Sequence, residues 1–193
     1  MDIGNTVTPK LLIISDHHFG HSNMLKFEPE YRKFKDVYEM NNFMADEWNK
    51  YIMENDIVIY NGDFSLTGRT YTRHLLEEKL NGIKILIQGN HDRKNNTQWW
   101  STKMQYLFSI DETILIIHNP GKLANKSWLL ENLSVNDRLD KIKTVYHGHL
   151  HSRKIEECDW YSSFKYKDIQ FINTSVEVTN YKPLELEKDK FEL

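Results

Sequence analysis

The sequence has only 1 cysteine, 4 prolines and 8 glycines among 193 residues, and these shortages exclude several classes of protein. The lone Cys158 cannot form a disulfide within the chain, so a small disulfide-held fold is excluded and a reducing compartment is expected. The low glycine and proline content excludes collagen-like and linker-rich chains. A hydrophobic content of 39% with 27% charged residues is typical of a folded protein, and we predict a single domain over residues 1–193.

The sequence also lacks a long hydrophobic run and an excess of positive charge. No segment approaches the roughly 18 apolar residues of a membrane span, and the first residues lack the basic and apolar regions of a secretory signal. We therefore predict a cytoplasmic protein with no membrane partner. The net charge of −3 argues against a dedicated nucleic-acid binder, because such proteins present clustered positive charge.

Short apolar runs rich in β-branched residues recur along the chain. Runs this short and this continuously apolar predict strands that are covered on both faces. Strands are predicted over residues 10–15, 56–61, 83–88, 113–117, 143–146 and 169–172. Helical patterns separate the strands, so the sequence predicts an α/β domain.

Helical periodicity fills much of the chain between these strands. Helices are predicted over residues 37–52, 70–81, 97–108 and 122–133, with a loop or a hairpin over residues 152–168. The first helix has apolar residues at three-four spacing, and Asp36 with Glu39 resembles a capping box at its start. Gly82 is placed to terminate the second helix.

Acidic, amide and imidazole side chains follow five consecutive predicted strands. They are Asp16, His17 and His18 after the first strand, Asp63 after the second, Asn90, His91 and Asp92 after the third, His118 after the fourth, and His149 and His151 after the fifth. In open α/β sheets, ligands bind beyond the carboxyl ends of the strands. The sequence therefore predicts a functional site at one edge of the sheet.

The residue types at this edge bind hard-to-borderline divalent metal ions, because they offer oxygen and imidazole nitrogen but no thiolate. The predicted ligands are Asp16, His18, Asp63, Asn90, His118, His149 and His151. Seven ligands exceed the need of one ion, whereas two ions that share a bridging carboxylate would use all seven and leave positions for water and substrate. Two ions about 3.5–4 Å apart, with a bridging hydroxide as the nucleophile, are a standard device for displacement at phosphorus. Mn²⁺ is the expected ion, with Fe, Zn and Ni as alternatives.

This ordered set of motifs resembles the calcineurin-like metallophosphoesterases. The matching segments are Asp16-x-His18, Gly62-Asp63, Gly89-Asn90-His91-Asp92, His118 and Gly148-His149-x-His151, in the family's order. The full set is far more specific than a lone Asp-x-His. Residues 16–23, 173–178 and 181–183 also look like those of small bacterial and phage phosphoesterases of this superfamily. The resemblance implies an αββα sandwich, with two central β-sheets flanked by helices and a dimetal site at the carboxyl ends of the strands.

The resemblance also implies a role for each residue. The first ion would be held by Asp16, His18, Asp63 and His151, and the second by Asp63, Asn90, His118 and His149. His91 would be catalytic, either as proton donor to the leaving group or as a cation that stabilises the phosphoryl oxygens, and Asp92 would orient or polarise it. A bridging Asp63 would offer one oxygen to each ion. Each imidazole would bind through one nitrogen while the other donates to a nearby acceptor.

Other residues near the motifs can be interpreted either as substrate contacts or as ordinary structural residues. The cations Arg69, Arg93, Lys122 and Arg153 either grip a phosphate or are ordinary surface charges, and Arg93 is the strongest candidate because it directly follows Asp92. His21 and Asn23 are candidate substrate contacts, although Asn23 is equally suited to cap a helix. Trp160 and Tyr161 either stack on a nucleobase or pack in the core.

These features predict metal-dependent hydrolysis of a phosphodiester, or of a small phosphomonoester, with a small nucleotide-like substrate as the partner. A nuclease acting on short single strands is the alternative, although it needs clustered Lys and Arg. A binding scaffold that keeps the fold without catalysis is the second alternative. It is disfavoured because His91 and every predicted ligand are present.

Overall fold

Two β-sheets form the centre of the molecule, and helices lie against their outer faces. The computed structural model describes residues 8–92, 98–166 and 168–193. Within these ranges the sheets pack face to face and the helices cover both outer faces, so the predicted α/β sandwich is confirmed. The same three ranges contain no helix with the length and apolar character needed to cross a bilayer.

The first sheet carries most of the predicted ligands. Its strands are β1 (Leu11–Ile14), β2 (Ile57–Tyr60), β3 (Ile83–Ile87), β4 (Thr102–Met104) and β9 (Leu184–Leu186). Their order is β4-β3-β2-β1-β9, with β1 to β4 parallel and β9 antiparallel to β1. Parallel pairing places the carboxyl ends of β1, β2 and β3 at the same edge, as the site prediction requires.

The second sheet supplies the remaining histidines. Its strands, in spatial order, are β5 (Tyr106–Phe108), β6 (Ile114–Ile117), β7 (Thr144–His147) and β8 (Gln170–Asn173). β6, β7 and β8 are parallel, whereas β5 is antiparallel to β6. An isolated bridge pairs Ser15, just after β1, with Ser175, just after β8. The functional ends of the two sheets therefore meet.

Short helices and turns connect the strands and cover the sheets. The α-helices are α1 (Met24–Phe27), α2 (Val37–Tyr51), α3 (Arg69–His74), α4 (Lys126–Glu131), α5 (Leu133–Asn136), α6 (Asp159–Ser162) and α7 (Val176–Thr179). α3 continues as a π-helical turn (Leu75–Lys79), and 3₁₀ turns lie at Pro120–Ala124, Ile155–Glu157 and Lys188–Lys190. Asp36 begins α2 as predicted, because its Oδ1 accepts a hydrogen bond from the Glu39 backbone N–H at 2.9 Å.

The burial of alternate residues of β1 on opposite faces explains why its sequence is continuously apolar. Leu11 and Ile13 lie in the core between the two sheets, whereas Leu12 and Ile14 lie in the core under α2. All four are at most 3% exposed. A strand buried on both faces needs apolar residues at every position, since successive side chains point to opposite faces.

The predicted helix over residues 97–108 is wrong. Residues 102–104 and 106–108 form β4 and β5, one in each sheet, and Thr97 lies outside the described residues. Leu107 packs in the core between the sheets while Tyr106 and Phe108 pack against the helices of the second sheet. This alternation has the period of a strand, and pairing with neighbouring strands overrides the helical pattern.

Two further predictions about local structure need correction, and one strand was not predicted. The segment over residues 152–168 is neither a simple loop nor a hairpin, because it contains the 3₁₀ turn Ile155–Glu157 and α6. The helix predicted over residues 122–133 is shorter, because a 3₁₀ turn occupies Pro120–Ala124 before α4 begins. β9 was not predicted, because its Leu-Glu-Leu sequence is too short to carry a recognisable pattern.

Candidate metal centre

Side chains from both sheets form two groups at the carboxyl ends of the strands. One group is Asp16, His18 and His151, and the other is Asp63, His118 and His149. Within each group the atoms that can bind a metal lie within 4.8 Å of one another. Six of the seven predicted ligands are therefore gathered in two sets of three. Asn90, the seventh, is exposed and lines a small cavity together with His118.

The backbone at these residues is strained in the same way. Positive φ angles occur at Asp16 (62°), His18 (50°), Asp63 (59°), His149 (70°) and His151 (51°). Left-handed backbone at a residue other than glycine costs about 1–3 kcal/mol and persists only where the surroundings enforce it. Here Asp16 N–H donates to the Gly62 carbonyl at 3.0 Å, and His18 N–H donates to the Asp63 carbonyl at 3.1 Å. These cross-strand bonds hold the strained loops in place.

Asp63 lies between the two groups. Its Oδ2 is 3.6 Å from His18 Nε2 and 3.2 Å from His118 Nε2, so one oxygen faces a nitrogen of each group. Its Oδ1 accepts a hydrogen bond from His91 N–H at 2.8 Å. Oδ2 is therefore the oxygen that two ions held by these groups would share, whereas the sequence predicted one oxygen for each ion. Asp63 is 2% exposed, so little water is present to screen its charge.

His118 has the tautomer of a metal ligand. Its Nδ1 lies 2.7 Å from the Asn61 carbonyl oxygen, which can only accept, so Nδ1 carries the proton. In the neutral ring Nε2 then carries the lone pair that a metal ion would bind, and within the described residues this buried atom has no hydrogen-bond partner. Buried His18 likewise has both ring nitrogens without a partner in the described ranges. Unpartnered buried nitrogens beside carboxylates are what a site built for cations requires.

The electrostatics of the site also favour cations. Burial lowers the pKa of His18 to about 2 and that of His149 to about 4, so both are neutral and can bind a metal. Burial opposes charge on His118 as well, but the Asp63 and Asp16 carboxylates raise its pKa to about 9. Two carboxylates so close together therefore attract positive charge even to a buried imidazole.

Asp16 is fixed by donors from three parts of the chain. Its Oδ2 accepts hydrogen bonds from Ser15 Oγ at 2.5 Å and from Ser175 Oγ at 2.9 Å, and His149 N–H donates to the carboxylate at 3.1 Å. Gly148 makes this packing possible, because a Cβ at that position would collide with Asp16 Oδ2. The glycine before His149 is thus required by a close approach of its backbone to the carboxylate.

Two functional residues were missed by the sequence argument, and they lie behind His151. Glu177 Oε1 is 3.2 Å from His151 Nδ1 and accepts a hydrogen bond from Arg32 Nε at 2.7 Å. The guanidinium of Arg32 also donates to the Asp16 carbonyl at 2.6 Å and to the His17 carbonyl at 2.7 Å. The Glu177 carboxylate favours a proton on His151 Nδ1, which leaves Nε2 to face Asp16.

This pair is buried and charged. Arg32 is 1% exposed and Glu177 is 4% exposed. Burial opposes ionisation of Glu177, but His151 and Arg32 lower its pKa to about 2. The only sequence signal was Glu177 within the subgroup-like segment 173–178, and nothing in the pattern around Arg32 identified it.

Asp92 has partners other than the His91 ring that the sequence argument assigned to it. Its carboxylate accepts backbone hydrogen bonds from Asp63 N–H at 2.8 Å, Phe64 N–H at 3.0 Å and Gly89 N–H at 2.8 Å. No hydrogen bond between Asp92 and the His91 imidazole occurs within the described part of the chain. Asp92 therefore holds the Asp63 loop in place. The predicted action of Asp92 on His91 stays a prediction.

Two of the remaining predicted site residues, His91 and His21, lie beside His18 of the first group. His91 is exposed, and its ring centroid is 5.3 Å from that of His18. His21 is half-buried, with its ring centroid 5.8 Å from that of His18, which is compatible with a substrate contact. Asn23 is exposed and precedes α1 without a side-chain capping bond. Arg93 lies outside the described residues.

Comparisons with known proteins point to one family. A family model described as calcineurin-like phosphoesterase matches residues 9–189. The chain is 31% identical over 182 residues to an uncharacterized protein of Methanocaldococcus jannaschii, a match that covers 92% of this chain and 88% of that protein. It also resembles the crystal structure of a protein of unknown function from Aquifex aeolicus. That match has a TM-score of 0.67 and 26% identity, and it covers 92% of this chain and 95% of the other.

Replacing Asp63 with asparagine tests the shared oxygen. We expect Asp63→Asn to weaken binding of both metal ions, because one change removes a negative charge that both groups share. The loss should exceed the about 10–100-fold that is typical for an outer partner of a ligand. Equilibrium dialysis against Mn²⁺ followed by elemental analysis measures it. Asp36→Asn, the same change at the start of α2, is the control, and two ions of normal affinity in Asp63→Asn would contradict the assignment.

Replacing Glu177 with glutamine tests the support of His151. We expect Glu177→Gln to weaken the ion at the Asp16 group by about 10–100-fold, because the orienting charge behind His151 is lost. The ion at the Asp63 group should bind as before, so a titration should show one weakened site of two. Glu185→Gln is a matched control, because Glu185 is a surface residue paired only with Lys10 in the described structure. Unchanged affinity at both sites, with native circular dichroism, would refute the role.

Proposed function

Because this chain belongs to the calcineurin-like phosphoesterase family, we propose that it uses two divalent metal ions to hydrolyse a small, nucleotide-like phosphodiester. The observation that carries the proposal is the position of Asp63 Oδ2, within 3.6 Å of His18 Nε2 and 3.2 Å of His118 Nε2. One carboxylate oxygen between imidazoles of two groups is an arrangement suited to a bridged pair of cations.

The donor set fits such a pair. Bound ions would act as Lewis acids on the phosphoryl oxygens and lower the pKa of a shared water. Asp16 and Asp63 supply two buried negative charges, and the neutral rings of His18 and His149 supply lone pairs. Mn²⁺ suits this combination of oxygen and imidazole ligands, and Fe, Zn and Ni bind similar sets.

The proposal gives His91 the role of serving the leaving group. When the P–O bond breaks, the departing oxygen gains negative charge and needs a proton or a cation. The His91 ring is exposed beside His18, while its backbone N–H is held by Asp63 Oδ1. The backbone therefore fixes the residue, and the free ring can reach a substrate outside the two groups.

The open face around His91 supports a small substrate. Asn90 and His91 are both exposed, so a small diester in solvent can contact them. A long duplex gains little here, because a protein with a net charge of −3 releases few counterions on binding. These features favour a small diester over a nucleic-acid polymer.

Removal of metal tests the proposed activity. We expect the chelated protein to lose hydrolysis of bis(4-nitrophenyl) phosphate and to recover it when Mn²⁺ is added, since the described site has no side chain placed as a substitute nucleophile. Release of 4-nitrophenolate measures the rate, and elemental analysis confirms metal removal. Full activity of the verified metal-free protein would overturn the proposal.

Replacement of His91 tests the division of labour. We expect His91→Ala to keep both ions but to lower turnover by about 10²-fold or more, the usual effect of losing a general acid. The loss should be smaller for a 4-nitrophenyl ester than for an alkyl ester, because a good leaving group needs less protonation. His74→Ala, at an exposed histidine of α3, is the control. Loss of a metal ion from His91→Ala would show that the assigned role is wrong.

A further inference from the structure

A second cavity adjoins the metal centre and is not used by the mechanism above. It has a volume of about 390 Å³ and is lined on one side by His149, a predicted ligand of the second ion. Its polar and cationic lining residues include Asn119, Lys122, Asn125, Arg153 and Trp160. We call this cavity the His149 pocket. Whatever occupies it lies next to the metal centre.

Lys122 connects the pocket to the metal centre. It lines the His149 pocket and also the smaller cavity of about 190 Å³ that contains Asn90 and His118. Its Nζ lies 5.3 Å from the ring centroid of Trp128, a contact that holds the cation without neutralising it. No ion pair among the described residues involves Lys122. Partial burial lowers its pKa, which is the cost of keeping a cation in this position without a counter-ion.

The rest of the pocket offers further hydrogen-bond donors. Arg153 donates to the Glu157 carbonyl and forms no ion pair within the described ranges, so most of its guanidinium donors remain available. Trp160 is fixed by edge contacts with Phe164 and Phe171, and its Nε1 edge lies next to Gly121. This packing holds the Trp160 ring in place, so that its indole N–H is a fixed hydrogen-bond donor. Among the described lining residues there is one acidic side chain, that of the exposed Asp159.

These properties differ from those of a larger cavity elsewhere in the described structure. That cavity, of about 480 Å³, lies near Trp99 and is lined by Glu54, Glu77 and Glu78. Three carboxylates against one cation, Lys84, make this lining unfavourable to anions. The His149 pocket instead attracts an anion. It offers two cations without carboxylate partners and an indole N–H, and it adjoins the metal centre.

We propose that the His149 pocket binds a second phosphate group of the substrate, so that the preferred substrate is a nucleotide-like diester that carries an additional phosphate. This inference rests on the proposed function, because it concerns the part of the substrate beyond the scissile phosphate. Lys122 and Arg153 determine the specificity by ion pairing with the second phosphate. The scissile phosphate lies at the two metal groups.

A matched pair of substrates tests the inference. Thymidine 5′-(4-nitrophenyl phosphate) and the same compound with a 3′-phosphate differ only in the second phosphate. We expect the metal-loaded protein to show a kcat/KM about tenfold higher for the 3′-phosphorylated compound, through a lower KM, because a charge-assisted contact is worth about this factor. Lys122→Met should reduce the ratio of the two kcat/KM values to near one, and Arg153→Met should reduce it in part. Lys126→Met, an exposed lysine in α4, should leave the ratio unchanged.

A binding measurement separates this inference from the proposed function. Thymidine 3′,5′-bisphosphate should bind the metal-loaded wild-type protein about tenfold more tightly than thymidine 5′-monophosphate in isothermal titration calorimetry, and Lys122→Met should abolish the difference. If both diesters are hydrolysed equally well and both nucleotides bind equally well, the pocket inference is wrong while the proposed function stands. If neither diester is hydrolysed but the difference in nucleotide binding persists, the proposed activity is wrong while the pocket still recognises the second phosphate.

Discussion

Two carboxylates buried side by side set the main constraint on this structure. Asp16 is 0% exposed and Asp63 is 2% exposed, and His18 Nε2 lies 4.0 Å from Asp16 Oδ1 and 3.6 Å from Asp63 Oδ2. Two desolvated negative charges at this separation oppose folding unless cations offset them. Neither ring nitrogen of the neutral His18 has a hydrogen-bond partner within the described residues, whereas Asp63 and Asp16 raise the pKa of His118 to about 9, and Glu177 and Asp16 raise that of His151. The two carboxylates therefore favour positive charge at this position.

The surrounding protein holds this arrangement with buried hydrogen bonds. Arg32 joins the Glu177 side chain to the carbonyls of Asp16 and His17, and so ties the loop after β1 to the helix after β8. Asp92 joins the loops after β2 and β3 in the same manner. Breaking a buried ion pair by removing one partner typically costs about 3–5 kcal/mol. Networks of this kind compensate for the left-handed backbone at the predicted ligands, and they fix the distances between ligands from different strands.

The sequence predicted six of the nine described strands and the edge of the site, because both depend on local patterns. β1 is continuously apolar since both of its faces are buried, and Asp16 and His18 directly follow it. The failures involve partners that are distant in sequence or segments that are short. Residues 106–108 pair with β6, and a segment of three residues is too short for its sequence pattern to predict that pairing. Arg32 and Glu177 are separated by 145 positions, so only the fold brings them together. The partners of Asp92 are backbone N–H groups, and the sequence does not indicate which backbone groups a carboxylate will contact.

The most direct test of a paired cation site is an anomalous diffraction measurement on crystals of the Mn²⁺-loaded protein. The account predicts two anomalous peaks about 3.5–4 Å apart. One should lie among Asp16, His18 and His151 and the other among Asp63, His118 and His149, with Asp63 Oδ2 between the peaks. A single peak, or two peaks that do not share Asp63, would contradict the account.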